Sequence, residues 1–224
     1  LETIEIADLN ADGKLDIGLT ESNTIKIYRN TSSNGTISFT NDVTLSVTTV
    51  GIKFFDFNND GLIDMAASTG GYAYSFKVYR NTSSAGLIQF ATAQTVSHPG
   101  AYRGGFNVGD INGDNLYEIV ASDEWSGNTV IFTNTTPTNG ATYTYSTLNV
   151  PQSLYEATLM PIDVNNDNKV DIFQGDGYII ENNRSSSTIT TSDFSKTNIS
   201  LNESYGRCIS ADLNGDGLQD ILVG

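Results

Sequence analysis

Five nine-residue segments of this chain hold three acids each. They read Asp8-Leu-Asn-Ala-Asp-Gly-Lys-Leu-Asp16, Asp56-Phe-Asn-Asn-Asp-Gly-Leu-Ile-Asp64, Asp110-Ile-Asn-Gly-Asp-Asn-Leu-Tyr-Glu118, Asp163-Val-Asn-Asn-Asp-Asn-Lys-Val-Asp171 and Asp212-Leu-Asn-Gly-Asp-Gly-Leu-Gln-Asp220. Their starts lie 48, 54, 53 and 49 residues apart. Together they contain 15 of the 26 acids, and the 11 acids elsewhere equal the chain's 11 bases in number. Two of those bases, Lys14 and Lys169, lie within the segments, which therefore carry −13 of the formal charge of −15. Carboxylates this crowded repel one another unless a cation stands among them.

The spacing D-x-N-x-D-x-x-x-D/E suits a hard cation. Side-chain oxygens come from positions 1, 3, 5 and 9: Asp8, Asn10, Asp12 and Asp16; Asp56, Asn58, Asp60 and Asp64; Asp110, Asn112, Asp114 and Glu118; Asp163, Asn165, Asp167 and Asp171; Asp212, Asn214, Asp216 and Asp220. The residue at position 7 (Lys14, Leu62, Leu116, Lys169 or Leu218) can add its backbone carbonyl. An all-oxygen donor set favours Ca²⁺ over zinc or copper, which gives up to five ions, one per loop. Position 6 is Gly13, Gly61, Asn115, Asn168 or Gly217, the residue types that enter left-handed backbone most cheaply. Apolar residues at position 2 (Leu9, Phe57, Ile111, Val164, Leu213) and position 10 (Ile17, Met65, Ile119, Ile172, Ile221) are expected to anchor each loop in a core. One such segment alone would read as an acidic surface turn. Five copies with one grammar do not. An EF-hand needs flanking helices and a bidentate acid at position 12, where this chain has Leu19, Ala67, Ala121, Gln174 and Val223.

Little else in the chain suggests chemistry. Cys208 is the only cysteine, so neither an internal disulfide nor a cysteine-ligated zinc site is possible, and its place in the repeat is that of Ile4, Ile52, Phe106 and Leu159. His98, the only histidine, lies in a turn composition without a readable nucleophile and orienting acid. Asp123 and Glu124 are adjacent in sequence, which does not make a glycosidase pair. The chain therefore reads as a non-enzyme. The Asn-x-Ser/Thr sequons at Asn30, Asn81 and Asn134 recur at one place in the repeat, as a turn requirement would have them. The acidic balance argues against a nucleic-acid partner. No run of apolar residues approaches the length of a membrane-spanning helix, and any targeting signal is expected to lie outside this chain.

The elements that position the loops read as strands. Each loop is preceded by a short apolar stretch: Thr3 to Ala7, Gly51 to Phe55, Gly105 to Gly109, Thr158 to Ile162 and Arg207 to Ala211. A second follows it, as in Leu15 to Leu19 or Tyr117 to Ala121. A third comes after a polar turn: Thr24 to Tyr28, Ser75 to Tyr79, Thr129 to Thr133 and Tyr178 to Glu181. The fourth segment carries Phe39, Phe90, Tyr143 with Tyr145, or Phe194. These segments are rich in β-branched and aromatic residues and bounded by turn formers. The fold class is all-β. Four strands in about 50 residues, repeated, point to a β-propeller built of four-stranded antiparallel blades, with a solenoid of strands as the rival. The chain, residues 1–224, reads as one domain with repeats beginning near 1, 49, 102, 155 and 205. That makes four full repeats plus the first two strands of a fifth, so closure calls for remaining blades or another chain.

These loops, the small-apolar strand after each, and the turns Tyr28-Arg-Asn-Thr-Ser-Ser33 and Tyr79-Arg-Asn-Thr-Ser-Ser84 resemble the FG-GAP/VCBS repeat family. Thr133-Asn-Thr-Thr136 and Asn182-Asn-Arg-Ser185 look like weaker versions of that turn. The resemblance covers essentially the whole chain. It implies a larger ring, often of about seven blades, with calcium between the two innermost strands of a blade, as in integrin α-subunit heads. It also implies an extracellular or cell-surface setting, bacterial in many members, and a role in adhesion or ligand binding. Lectins and accessory modules of polysaccharide-degrading enzymes are the alternatives. Asn115 and Asn168 depart from the family's usual glycine, and Glu118 from its usual aspartate. In such a propeller Tyr72, Tyr74, Tyr102, Trp125, Tyr155 and Tyr205 would gather on the face opposite the calcium loops. Aromatic rings there suit a glycan or a protein partner.

Overall fold

The computed structural model describes residues 3–47, 49–69, 75–97, 106–123, 126–151, 158–175, 177–199 and 208–223. Among them a single 3-10 turn at Thr191–Asp193 interrupts an otherwise all-β chain. No helix in these residues is long and apolar enough to cross a membrane.

The chain forms two compact units. The first comprises Leu1–Pro99 together with Thr136–Thr144. It holds two four-stranded sheets, β1 (Ile4–Ala7), β2 (Asp16–Glu21), β3 (Thr24–Asn30) and β4 (Phe39–Ser46), then β5 (Thr49–Phe55), β6 (Asp64–Thr69), β7 (Ser75–Tyr79) and β8 (Gln94–Ser97). The second comprises Gly100–Thr135 and Tyr145–Gly224. Its sheets are β9 (Phe106–Gly109), β10 (Glu118–Asp123), β11 (Asn128–Asn134) and β12 (Tyr145–Pro151); β13 (Leu159–Ile162), β14 (Asp171–Gln174), β15 (Tyr178–Asn182) and β16 (Phe194–Asn198); and the two-stranded β17 (Cys208–Ala211) with β18 (Asp220–Val223). Every pair is antiparallel and every sheet follows chain order. Such meanders need only local connections, which the Ser/Thr/Asn/Gly turns supply.

In every sheet the acidic segment joins the first strand to the second. Their register is set next to it, by Ala7 opposite Asp16, Phe55 opposite Asp64, Gly109 opposite Glu118, Ile162 opposite Asp171 and Ala211 opposite Asp220. Position 9 thus opens the second strand. The sheets then pack face to face through apolar residues. In the first unit Leu9, Ile25, Ile27, Ile52, Met65 and Ile88 form one core. Phe54 lies so close over β2 that a Cβ on Gly18 would stand 2.5 Å from its ring. In the second unit Ile111, Val120, Ile131, Val150, Leu159, Ile172 and Ile180 form another. A smaller cluster of Met160, Ile162 and Phe173 packs against Cys208, which is half-buried, as expected of a core residue. β10 and β14 are buried along their whole lengths, and β6 is buried up to its last residue, Thr69, which is half-buried.

Some expectations need correction. In the second repeat Phe90 lies outside the fourth strand, which starts at Gln94; Phe90 instead pairs with Asn81 in an isolated bridge. Tyr143 precedes β12 and is buried in the first unit. In both cases the aromatic side chain packs against apolar residues of the first unit, Phe90 on the core that holds Ile25 and Met65 and Tyr143 on Phe55 and Phe57. At position 2, Leu9, Phe57 and Ile111 are buried as anchors, but Val164 is half-buried and Leu213 is 68% exposed. The two-stranded fifth sheet has no third strand among the described residues to cover Leu213.

Candidate metal centres

The five acidic loops share one backbone path. Position 6 has positive φ in all of them: Gly13 84°, Gly61 85°, Asn115 69°, Asn168 63° and Gly217 86°. Position 4 has it too, at Ala11 56°, Asn59 54°, Gly113 73°, Asn166 61° and Gly215 78°. Alternating right- and left-handed residues fold the segment so that the side chains of positions 1, 3 and 5 turn inward and the N–H groups converge. The left-handed position 4 was not anticipated. Its Asn and Gly residues were a usable signal, and Ala11 the departure from it.

Each inward oxygen is engaged in the same way in each loop. The position-1 carboxylate accepts from the N–H groups of positions 5 and 6. Asp12 and Gly13 donate to Asp8 at 3.1 and 2.8 Å, Asp60 and Gly61 to Asp56 at 3.3 and 2.8 Å, and Asp114 and Asn115 to Asp110 at 3.1 and 3.0 Å. Asp163 and Asp212 repeat the pattern. The position-3 asparagine accepts from the N–H of position 5 through Oδ1, from Asn10 to Asn214. The position-5 carboxylate accepts the N–H of position 7 on Oδ1. Its Oδ2 meets a positively polarised group every time. Asn10, Asn58, Asn112 and Asn214 donate Nδ2–H to it at 3.4, 3.0, 3.0 and 3.0 Å. In the fourth loop the Lys169 ammonium stands 3.1 Å from Asp167 Oδ2 and holds that carboxyl below its ordinary value.

Position 9 is different in kind. Asp16, Asp64, Glu118 and Asp171 are fully buried. One carboxylate oxygen accepts the N–H of position 2, from Leu9 at 2.9 Å, Phe57 at 3.1 Å, Ile111 at 2.7 Å and Val164 at 3.1 Å. The other accepts the N–H of an asparagine that follows or ends the third strand: Asn30 at 2.8 Å, Asn81 at 2.6 Å, Asn134 at 3.2 Å and Asn182 at 2.8 Å. In the fifth loop Asp220 accepts from Leu213 at 2.9 Å. Burial raises the pKa of Asp16 and Asp171, and carries Asp64 to about 7 and Glu118 to about 8. The backbone donors oppose this shift, while the other loop acids add to it: Asp8 and Asp12 act on Asp16, and Asp56 and Asp60 on Asp64.

Those four asparagines were read only as turn residues. They are turn residues, since Asn30, Asn81 and Asn182 accept the N–H two residues on. They are also staples. Their Nδ2 groups donate to position 8, namely to the carbonyls of Leu15, Ile63, Tyr117 and Val170. Asn81 reaches the Leu9 carbonyl of the preceding repeat at 2.8 Å, and Asn182 reaches that of Ile111 at 2.7 Å. Asn81, Asn134 and Asn182 are buried, which leaves the sequon side chains at Asn81 and Asn134 no room for a glycan.

With the side chains placed as they are, no three Asp, Glu, His or Cys residues among those described are grouped closely enough to hold an ion by themselves. The donor set nevertheless fits a hard cation. Positions 1, 3 and 5 bring oxygens inward, the position-5 Oδ2 accepts from an amide N–H in four loops and from an ammonium in the remaining one, and each carboxylate retains lone pairs beyond those its backbone donors use. The six aromatics expected on the opposite face, Tyr72, Tyr74, Tyr102, Trp125, Tyr155 and Tyr205, lie outside the described residues, as do His98 and Glu124.

A family model described as an FG-GAP-like repeat matches residues 8–67 and 56–121. The two matches run from the first loop through the strand after the third and together take in just over half of the chain. No curated protein matches the chain.

Proposed function

Because the chain belongs to the FG-GAP-like repeat family, we propose that it is a calcium-stabilised, non-enzymatic β-propeller module of a secreted or cell-surface protein, mediating adhesion or ligand binding. The observation that carries this reading is the fivefold loop, in which the side-chain oxygens of positions 1, 3 and 5 converge by the same backbone path and hydrogen bonds every time. Asp, Asn and Asp at positions 1, 3 and 5 hold the ion, with the position-7 carbonyl and the position-9 acid as further donors. Bound calcium supplies the positive charge that the clustered carboxylates lack. The loop residues tie the first strand of each sheet to the second, and the position-9 acid ties both to the third. Ordering the loop therefore orders the sheet.

The magnitude is sufficient. Extracellular calcium modules have Kd values of about 10⁻⁴–10⁻³ M. At about 1 mM calcium and a Kd near 0.1 mM, each site contributes roughly 1.4 kcal/mol to the folded state. Five sites contribute on the order of 7 kcal/mol, comparable with the net stability of a domain. Sites this weak fill outside cells. A thermal melt with and without chelator tests the reading, and an unchanged midpoint would reject it. The ligand, a protein or a glycan, is proposed to meet the face opposite the loops, in a ring of about seven blades. Loss of binding on Trp125→Ala would support that face.

A further inference from the structure

Building on this calcium reading, we infer that the segment Thr136–Thr144 is a positioning element for the second loop and makes Asp56–Asp64 the tightest of the five sites. Asn58, the position-3 residue, is fully buried. Its Nδ2 donates to the Gly140 carbonyl at 2.8 Å as well as to Asp60, and its own carbonyl accepts the Asn139 N–H at 2.7 Å. Only the nitrogen end of an amide can donate to a carbonyl, so Gly140 fixes Oδ1 on the loop side, where it accepts the Asp60 N–H. In the first, third and fifth loops the amides of Asn10, Asn112 and Asn214 donate only to the carboxylate of their own loop. Among the described residues, only the second loop has its ligand oxygen oriented from outside.

The segment that does this is itself clamped. Gln94 holds Tyr143 by both backbone groups: its Nε2 donates to the Tyr143 carbonyl at 2.7 Å, and its Oε1 accepts the Tyr143 N–H at 2.8 Å. The buried Tyr143 ring meets Phe57, position 2 of the loop, edge-on at 5.7 Å, and Phe55 at 6.4 Å. The turn before it is closed by the Gly140 N–H on the Pro137 carbonyl at 2.7 Å. A Cβ on Gly140 would stand 2.7 Å from that carbonyl, so glycine is what allows the turn to present its own carbonyl to Asn58. Orienting a ligand before the ion arrives removes an ordering cost from binding. By linkage, the ion must then hold the segment as firmly as the segment holds the ligand.

Two measurements on the whole chain test this. In the wild type, adding calcium should slow amide exchange at Asn139, Gly140 and Tyr143, and Asp60→Ala should abolish that slowing while the other loops still bind. In a calcium titration Gln94→Ala, which touches no ligand, should weaken the tightest site about 5-fold or more. It should have no effect on the remaining sites once Asp60→Ala has removed the second. Calcium binding with unaltered exchange in the segment, or an equal loss at every site in Gln94→Ala, overturns the inference alone. A wild type that binds no calcium overturns the calcium reading and this inference with it.

Discussion

The position-9 carboxylates of the first four loops, Asp16, Asp64, Glu118 and Asp171, accept at least two backbone N–H groups each while remaining buried, so their protonation should report on the ion. In the metal-free protein Asp64 and Glu118 hold their protons to about pH 7 and 8, whereas unfolded acids release theirs near pH 4. Folding then takes up protons, and stability is greatest below pH 4 as far as these groups are concerned and is lost as pH rises through 7 to 8. The expected outcome is a melting midpoint that rises when metal-depleted protein is taken from pH 8 to pH 5.5. In saturating calcium the trend should reverse, because protons then compete with the ion. The asparagine staples make a second case. Asn81→Ala strands the buried Leu9 carbonyl, at about 1–3 kcal/mol, and the half-buried one of Ile63, and a urea titration should show the loss as a lower midpoint. Asn30→Ala, at a half-exposed site whose Nδ2 donates to the Leu15 carbonyl and to no carbonyl of another repeat among the described residues, should cost less. The Lys169 charge competes with an ion for Asp167, so Lys169→Met should tighten calcium binding at the fourth loop.

At the scale of elements, the strands were legible because each is short, β-branched and bounded by turn residues. Ser75–Tyr79 came out as read, and most other strand ends moved by a residue or two. The outer strands were less so. β8 and β12 begin beyond Phe90 and Tyr143, because those aromatics pack elsewhere and strand pairing resumes only after them. Sheet-on-sheet contact depends on close approach at particular points. A Cβ on Gly18 would stand 2.5 Å from the Phe54 ring and 3.0 Å from Ile52. Gly18→Ala should therefore destabilise the first unit by about 1–3 kcal/mol through overpacking. Adding Phe54→Leu should recover part of the loss in the same denaturation experiment. Full additivity of the two changes would show that the contact is not made.

At the scale of the whole molecule, the charge of −15 sits almost wholly in the loops, and five calcium ions would bring it to −5. Chelation should lower the melting midpoint by about 15–30 °C, given roughly 7 kcal/mol and 2–4 °C per kcal/mol for a chain of this size. The chelated protein should regain part of this on adding salt, which screens the exposed acids, whereas the calcium form should respond little. The repeat, the strand order and the ligand types at positions 1, 3, 5 and 9 were all written in the sequence, because local spacing and residue chemistry decide which backbone turns and which oxygens are available. It took tertiary contacts to decide that position 9 is sealed from water in the first four loops and that Asn81 and Asn182 reach back to the preceding repeat. The same holds for Leu213, left bare by a two-stranded sheet, and for Asn58, held by a turn some 80 residues away. Burial and long-range hydrogen bonds belong to pairs of distant residues, and no local pattern in either partner specifies the other.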